Sequence, residues 1–148
     1  MPEFANEIGD HDRVCYCGRK HCIELYLSGP GLVHDHAHSL KAPDAHRVSS
    51  TNWRADAIAI AAQSGDLGCE ASMQRYEHRL ARALAGVINI LDPDVIVLGG
   101  GLSNIERLYE NVPRLWATDV FSDTVKTRLV KPMHGDSSGV RGAAWLIS

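Results

Sequence analysis

Three of the chain's four cysteines fall within eight positions, as Cys15-Tyr16-Cys17-Gly18-Arg19-Lys20-His21-Cys22, and this constrains the fold more than any other run. Thiolates are soft ligands that suit Zn²⁺, and a C-x-C pair can set two sulfurs on one tetrahedral ion. Gly18 permits the backbone reversal that returns Cys22 towards that ion. An apolar segment follows, Ile23-Glu24-Leu25-Tyr26-Leu27, which reads as the first turns of a helix. A metal here pins a loop to a helix start and fixes the direction of Glu24. The competing reading is three free thiols in a loop.

Composition narrows the setting. A chain of 148 residues is enough for one domain with a real core and short for a two-domain enzyme. Its formal net charge of -3 argues against nucleic acid as an electrostatic partner. No apolar run approaches a membrane span, and the first residues lack the basic and apolar regions of a signal peptide. Clustered cysteines without a secretion signal read as metal ligands in a reducing compartment, so a cytoplasmic location is expected.

Residues 1–14 are polar and acidic and read as an extended lead-in; the domain proper is expected over 15–148. The first helix should weaken at Ser28-Gly29-Pro30-Gly31. His34, His36 and His38 alternate without strand composition and read as a solvent-exposed loop or helix end. Residues 50–63 carry a short apolar stripe. From Glu70 to Leu91 the apolar positions Met73, Tyr76, Leu80, Leu84, Val87, Ile88 and Leu91 recur at steps of three and four, with Arg75, Glu77, Arg79 and Arg82 mostly on the other face. Cys69 reads as a packed free thiol. Val95-Ile96-Val97-Leu98 is an uninterrupted run that suits a strand covered on both faces. A second strand is expected from Val125 to Val130, and an apolar helix over Val140 to Ile147.

Between the first strand and the next helix stand Gly99, Gly100 and Gly101, with Leu102 after them and Ser103-Asn104 as a candidate cap. Strand, glycine run, helix is how α/β proteins bring a nucleotide against backbone, since side chains are absent where the ligand approaches and N–H donors are free. By itself the triple glycine is equally consistent with a tight turn that holds no ligand. Asp136 in its glycine-flanked loop reads as a helix cap rather than a base, and Asp92 and Asp94 as turn residues.

Taken together these strings resemble the ROK family of sugar kinases and sugar-responsive repressors. The zinc signature C-x-C-G-x-x-G-C-x-E followed by S-G is matched by Cys15, Cys17, Gly18, Cys22, Glu24, Ser28 and Gly29, with His21 where the family usually has glycine. That departure requires a non-glycine residue to tolerate the same dihedrals. Leu91 to Asn104 resembles the family's adenosine-side motif, and His134 to Leu146 the end of its bacterial fructokinases. The resemblance implies Cys15, Cys17 and Cys22 as zinc ligands, Glu24 as a sugar contact, and Gly99, Gly100, Gly101 and Leu102 as the cofactor-binding corner for ATP with Mg. The fourth zinc ligand of the family is a histidine upstream of the signature; His11 and His21 are the substitutes this chain offers.

The strings that carry the family's phosphate-binding hairpin, its catalytic aspartate and its E-x-G-H segment do not occur in the sequence. The resemblance therefore implies an α/β fold, a truncated C-terminal lobe of an actin-like ATPase (ribonuclease H-like). The expected function is the C-terminal portion of an ATP-dependent hexose kinase, most like fructokinase, inactive alone and lacking the catalytic aspartate and phosphate-binding segment. An open sheet edge would favour a homo-oligomer or association with the missing N-terminal half. The alternatives are the corresponding portion of a sugar-responsive repressor and a zinc-stabilised interaction domain.

Overall fold

A computed structural model of the protein describes Phe4, residues 13–40 and residues 53–146, Asp136 by its backbone alone. The greater part of the expected lead-in, His11 with it, lies outside the described residues. The chain forms two compact units, Met1–Arg79 and Leu80–Ser148.

In the first unit the cysteine loop leads into a short 3-10 turn, Ile23–Leu25, and not into α-helix. The first α-helix, α1 (Gly29–Ser39), starts where the sequence suggested a helix would end. Ser28 is its N-cap, with its hydroxyl accepting from the Gly31 N–H at 3.0 Å. Pro30 occupies the first turn, where its missing N–H costs nothing. Gly31 is required by packing: a Cβ there would stand 2.7 Å from the Leu25 carbonyl oxygen. The alternating histidines therefore lie within α1, and His36 is buried.

Two further helices follow, α2 (Ala55–Gln63) and α3 (Leu67–Leu91). Asp66 opens α3 by accepting from the Cys69 N–H at 2.8 Å. Met73, Tyr76, Leu80 and Ile88 are buried as the periodicity predicts, while Val87 and Leu91 are exposed. Cys69 is fully buried. The charged face is a correction. Glu77 and Arg79 are buried, and Arg79 lies over the rings of Phe4 and Tyr26 at 5.8 and 5.9 Å from their centroids. A long guanidinium can be buried against aromatic faces when a carboxylate meets it.

In the second unit β1 (Val95–Val97) pairs in parallel with β2 (Arg128–Val130), Val95 opposite Arg128 and Val97 opposite Val130. β1 was expected to be covered on both faces, yet Val95 and Val97 are exposed, since among the described residues the sheet has these two strands only. A 3-10 turn, Gly101–Asn104, precedes α4 (Leu108–Trp116), whose Leu108, Val112 and Trp116 are buried. Pro113 lies inside α4. A last 3-10 turn, Gly135–Ser137, leads into α5 (Ser138–Trp145).

The expectation of a truncated lobe is corrected. Among the described residues the fold is an α/β arrangement of helices and a parallel strand pair, and each unit has buried residues of its own. Among the described residues no helix is long and apolar enough to cross a membrane.

Candidate functional site

The cysteine loop closes as its spacing requires. Val14 bridges antiparallel to Lys20, the Cys15 N–H donates to the Arg19 carbonyl at 2.8 Å, and the Gly18 N–H donates to the Cys15 carbonyl at 2.8 Å. Two left-handed residues turn the chain, Gly18 at φ 80° and His21 at φ 60°. His21 thus holds the dihedral of the glycine it replaces, with Nδ1 at 3.3 Å from the Tyr26 hydroxyl.

The three sulfurs of Cys15, Cys17 and Cys22 lie within 4.8 Å of one another. Cys17 and Cys22 are 3.4 Å apart, sulfur to sulfur. A tetrahedral zinc with Zn–S near 2.3 Å needs sulfurs roughly 3.8 Å apart, so the set fits such an ion with little movement. All four cysteines are free thiols. The Arg19 N–H, and then the neighbouring thiols, hold the Cys17 thiol below its usual range. Its contact with Cys17 pushes Cys22 up to about 11. Among the described residues these cysteines are the one group of three or more metal-type side chains close enough to share an ion.

Directly after the loop, Glu24 sits in the 3-10 turn with its side chain exposed. Its backbone carbonyl accepts from the Ser28 hydroxyl at 2.7 Å. The Tyr76 hydroxyl donates to the Leu27 carbonyl at 3.4 Å, and its pKa is raised first by burial and then by the charge of Glu24.

One carboxylate that the sequence reading passed over is held by two arginines. Asp35 is buried on α1; one oxygen accepts from Arg79 Nη1 at 2.7 Å, the other from Arg75 Nε and Nη2 at 3.0 and 2.8 Å. No spacing rule pointed to it, because its partners are some forty residues away on α3. Beside it His36 has Nδ1 at 3.0 Å from the Ser72 hydroxyl and Nε2 at 3.8 Å from Cys69 Sγ. Burial lowers the His36 pKa and pushes the Cys69 thiol up to about 11.

The glycine corner belongs to the second unit. Gly100 adopts φ 75° and ψ −179°, a region open to glycine alone. A Cβ at Gly99, Gly100 or Gly101 would meet nothing within 4 Å, so the corner is open space. Ser103 is buried and its hydroxyl donates to the Gly100 carbonyl at 2.7 Å. It ties the turn back on itself and is not a cap of the next helix. Tyr109 donates to the Ser103 carbonyl at 2.7 Å and braces the corner from α4.

The model of the ROK family matches residues 5–148. The chain is 39% identical over 137 residues to an N-acetyl-D-glucosamine kinase of Photobacterium profundum, covering 90% of this chain and 41% of the relative. It is 36% identical over 149 residues to an N-acetyl-D-glucosamine kinase of Yersinia pseudotuberculosis, covering 99% of this chain and 46% of the relative. The fold is similar to that of a ROK family glucokinase from Streptomyces griseus solved with glucose and AMPPNP, at a TM-score of 0.73 and 23% identity, over 92% of this chain and 47% of that one. A ROK family transcriptional regulator, a homologue of the E. coli MLC protein, is similar at a TM-score of 0.62 and 22% identity, over 80% of this chain and 31% of that one. The chain thus spans under half the length of the curated relatives it matches.

These findings correct three expectations. The expected actin-like lobe gives way to a ROK-type α/β arrangement of helices and parallel sheet, since the family match and the glucokinase likeness run over nearly the whole of this chain. The fructokinase assignment gives way to kinship with N-acetyl-D-glucosamine kinases. The account of a piece without its aspartate is corrected as well: the domain holds a buried, engaged aspartate in Asp35, bound by Arg79 and Arg75, and the curated relatives it matches are kinases.

Proposed function

The chain belongs to the ROK family, and on that premise we propose that it is an ATP-dependent sugar-kinase domain acting on an N-acetyl-D-glucosamine-type hexose. The observation that carries the reading is the identity to N-acetyl-D-glucosamine kinases over about nine-tenths of the chain. The family match over residues 5–148 includes the cysteine loop and the glycine corner.

In this reading Cys15, Cys17 and Cys22 hold a zinc ion whose task is structural. The ion stiffens the loop from which Glu24 projects, and the Glu24 carboxylate accepts hydrogen bonds from sugar hydroxyls. Gly99, Gly100, Gly101 and Leu102 form the surface for the adenosine of ATP, which enters with Mg. An open corner with no side chain in the way suits a flat base laid against backbone. Phosphoryl transfer depends on positioning and on stabilising charge at the γ-phosphate, so each of these parts acts by placement.

The test is ATP-dependent phosphorylation with N-acetyl-D-glucosamine, glucose and fructose offered in parallel, together with binding of each sugar by calorimetry. N-acetyl-D-glucosamine should be preferred. Glu24→Gln should weaken sugar binding by roughly 10- to 100-fold, the range for losing hydrogen bonds to a charged group. Nucleotide binding should be unchanged in that variant. Sugar affinity insensitive to Glu24, or a preference for fructose, would overturn the reading.

A further inference from the structure

The Cys17–Cys22 contact makes this loop more than a metal holder, and we propose that the two thiols are a site of reversible oxidation, closing to a disulfide with peroxide as the oxidant. Their sulfurs already touch at 3.4 Å, while a disulfide bond is about 2.0 Å long. The reversal that brings them together is built into the loop by the left-handed residues Gly18 and His21.

Exposure selects the pair. Cys17 is exposed and Cys22 half-buried, whereas Cys15 is buried and Cys69 is fully buried beside His36. Peroxide in solvent therefore meets Cys17 first. The Cys17 sulfur attacks one peroxide oxygen, the O–O bond breaks, and a sulfenic acid and a water form. Cys22 Sγ then attacks Cys17 Sγ; the S–O bond breaks and a second water leaves. The two sulfurs supply two electrons, and one peroxide becomes two waters. With zinc in the loop the metal stays divalent throughout. Such an ion would lose two of its three cysteine ligands and with them its hold on the loop, and the two protons would come from solvent.

The experiment uses the reduced, zinc-loaded chain exposed to hydrogen peroxide, with zinc release followed by a chromogenic chelator and thiols mapped by alkylation and mass spectrometry without reductant. Expected are one zinc released per chain, a peptide lighter by two hydrogens that joins Cys17 to Cys22, and full alkylation of Cys15 and Cys69. Dithiothreitol should restore both thiols and zinc binding. The Cys69→Ser chain should behave identically. Three results would overturn the proposal. One is a cross-link mainly through Cys15; another is Cys17 carried to sulfinic acid with Cys22 still alkylatable. The third is all thiols intact at peroxide levels that oxidise free glutathione. None of these readouts involves sugar or ATP, so failure here is separate from failure of the kinase assignment.

Discussion

Removing the Asp35 carboxylate should be the most damaging single change in the first unit. In Asp35→Ala the Arg79 guanidinium, 2% exposed, loses the acceptor held at 2.7 Å, while the rings of Phe4 and Tyr26 stay beside its charge. Stripping one partner from a buried ion pair costs about 3–5 kcal/mol, because the other charge is left uncompensated. Arg75 is 28% exposed and can turn to water, so Arg75→Ala should cost less, about 1–2 kcal/mol. The double change Asp35→Leu with Arg79→Met replaces charge by apolar volume and should recover most of the loss. Urea unfolding followed by circular dichroism gives the midpoints. Because the chain has two units, native-state hydrogen exchange in α1 and in α3 before Arg79 assigns the effect. An Asp35→Ala protein within about 1 kcal/mol of the parent would refute the argument, as would Arg75→Ala being the worse of the two.

Two other perturbations follow from the same unit. The His36 pKa is lowered by burial, so the unfolded chain binds the proton more readily than the folded one. The stability held by neutral His36 is therefore full above the unfolded value of about 6.5 and is lost as pH falls through the folded pKa. A His36→Gln chain should show a flatter stability profile below neutrality, and an unchanged profile would count against the assignment. A paired glycine test probes the contact of α1 with the turn before it. Gly31→Ala drives a Cβ to 2.7 Å from the Leu25 carbonyl and should lower the melting temperature by several degrees, whereas Gly29→Ala meets the Ala55 Cβ at 3.8 Å and should leave it nearly unchanged. Equal effects in thermal unfolding would show that the close approach is not what matters.

The sequence disclosed what depends on local spacing. C-x-C-x4-C put three sulfurs around one point, the glycine run gave an open corner, and the three- and four-residue steps of α3 gave Met73, Tyr76, Leu80 and Ile88 their burial. It concealed what depends on distant partners. Arg79 looks like a solvated residue until Asp35 arrives from α1, and a charge run is a solvated face only when no carboxylate is buried beneath it. Ser28-Gly29-Pro30-Gly31 was misread for a different reason: Ser, Pro and Gly serve a helix start as well as a helix end, and the deciding contact, Gly31 against the Leu25 carbonyl, is tertiary. His36 sat in a polar-looking run whose burial is set by Ser72, Cys69 and Trp53.

These local and distant parts meet at Glu24. The sulfurs fix Cys22 on one side of the 3-10 turn, and on the other side Gly31 presses against Leu25 while Ser28 holds the Glu24 carbonyl. Tyr26, two residues on, is buried against Phe4 with Arg79 above it. The turn is thus held on one side by the cysteine loop and on the other by an apolar core. Loss of the metal should therefore loosen residues 14–24 and cost sugar affinity, while α1 and α3 keep their protection from hydrogen exchange, since Asp35 still binds both arginines. If chelation instead released α1 together with the loop, the metal would be holding the core and not merely aiming one carboxylate.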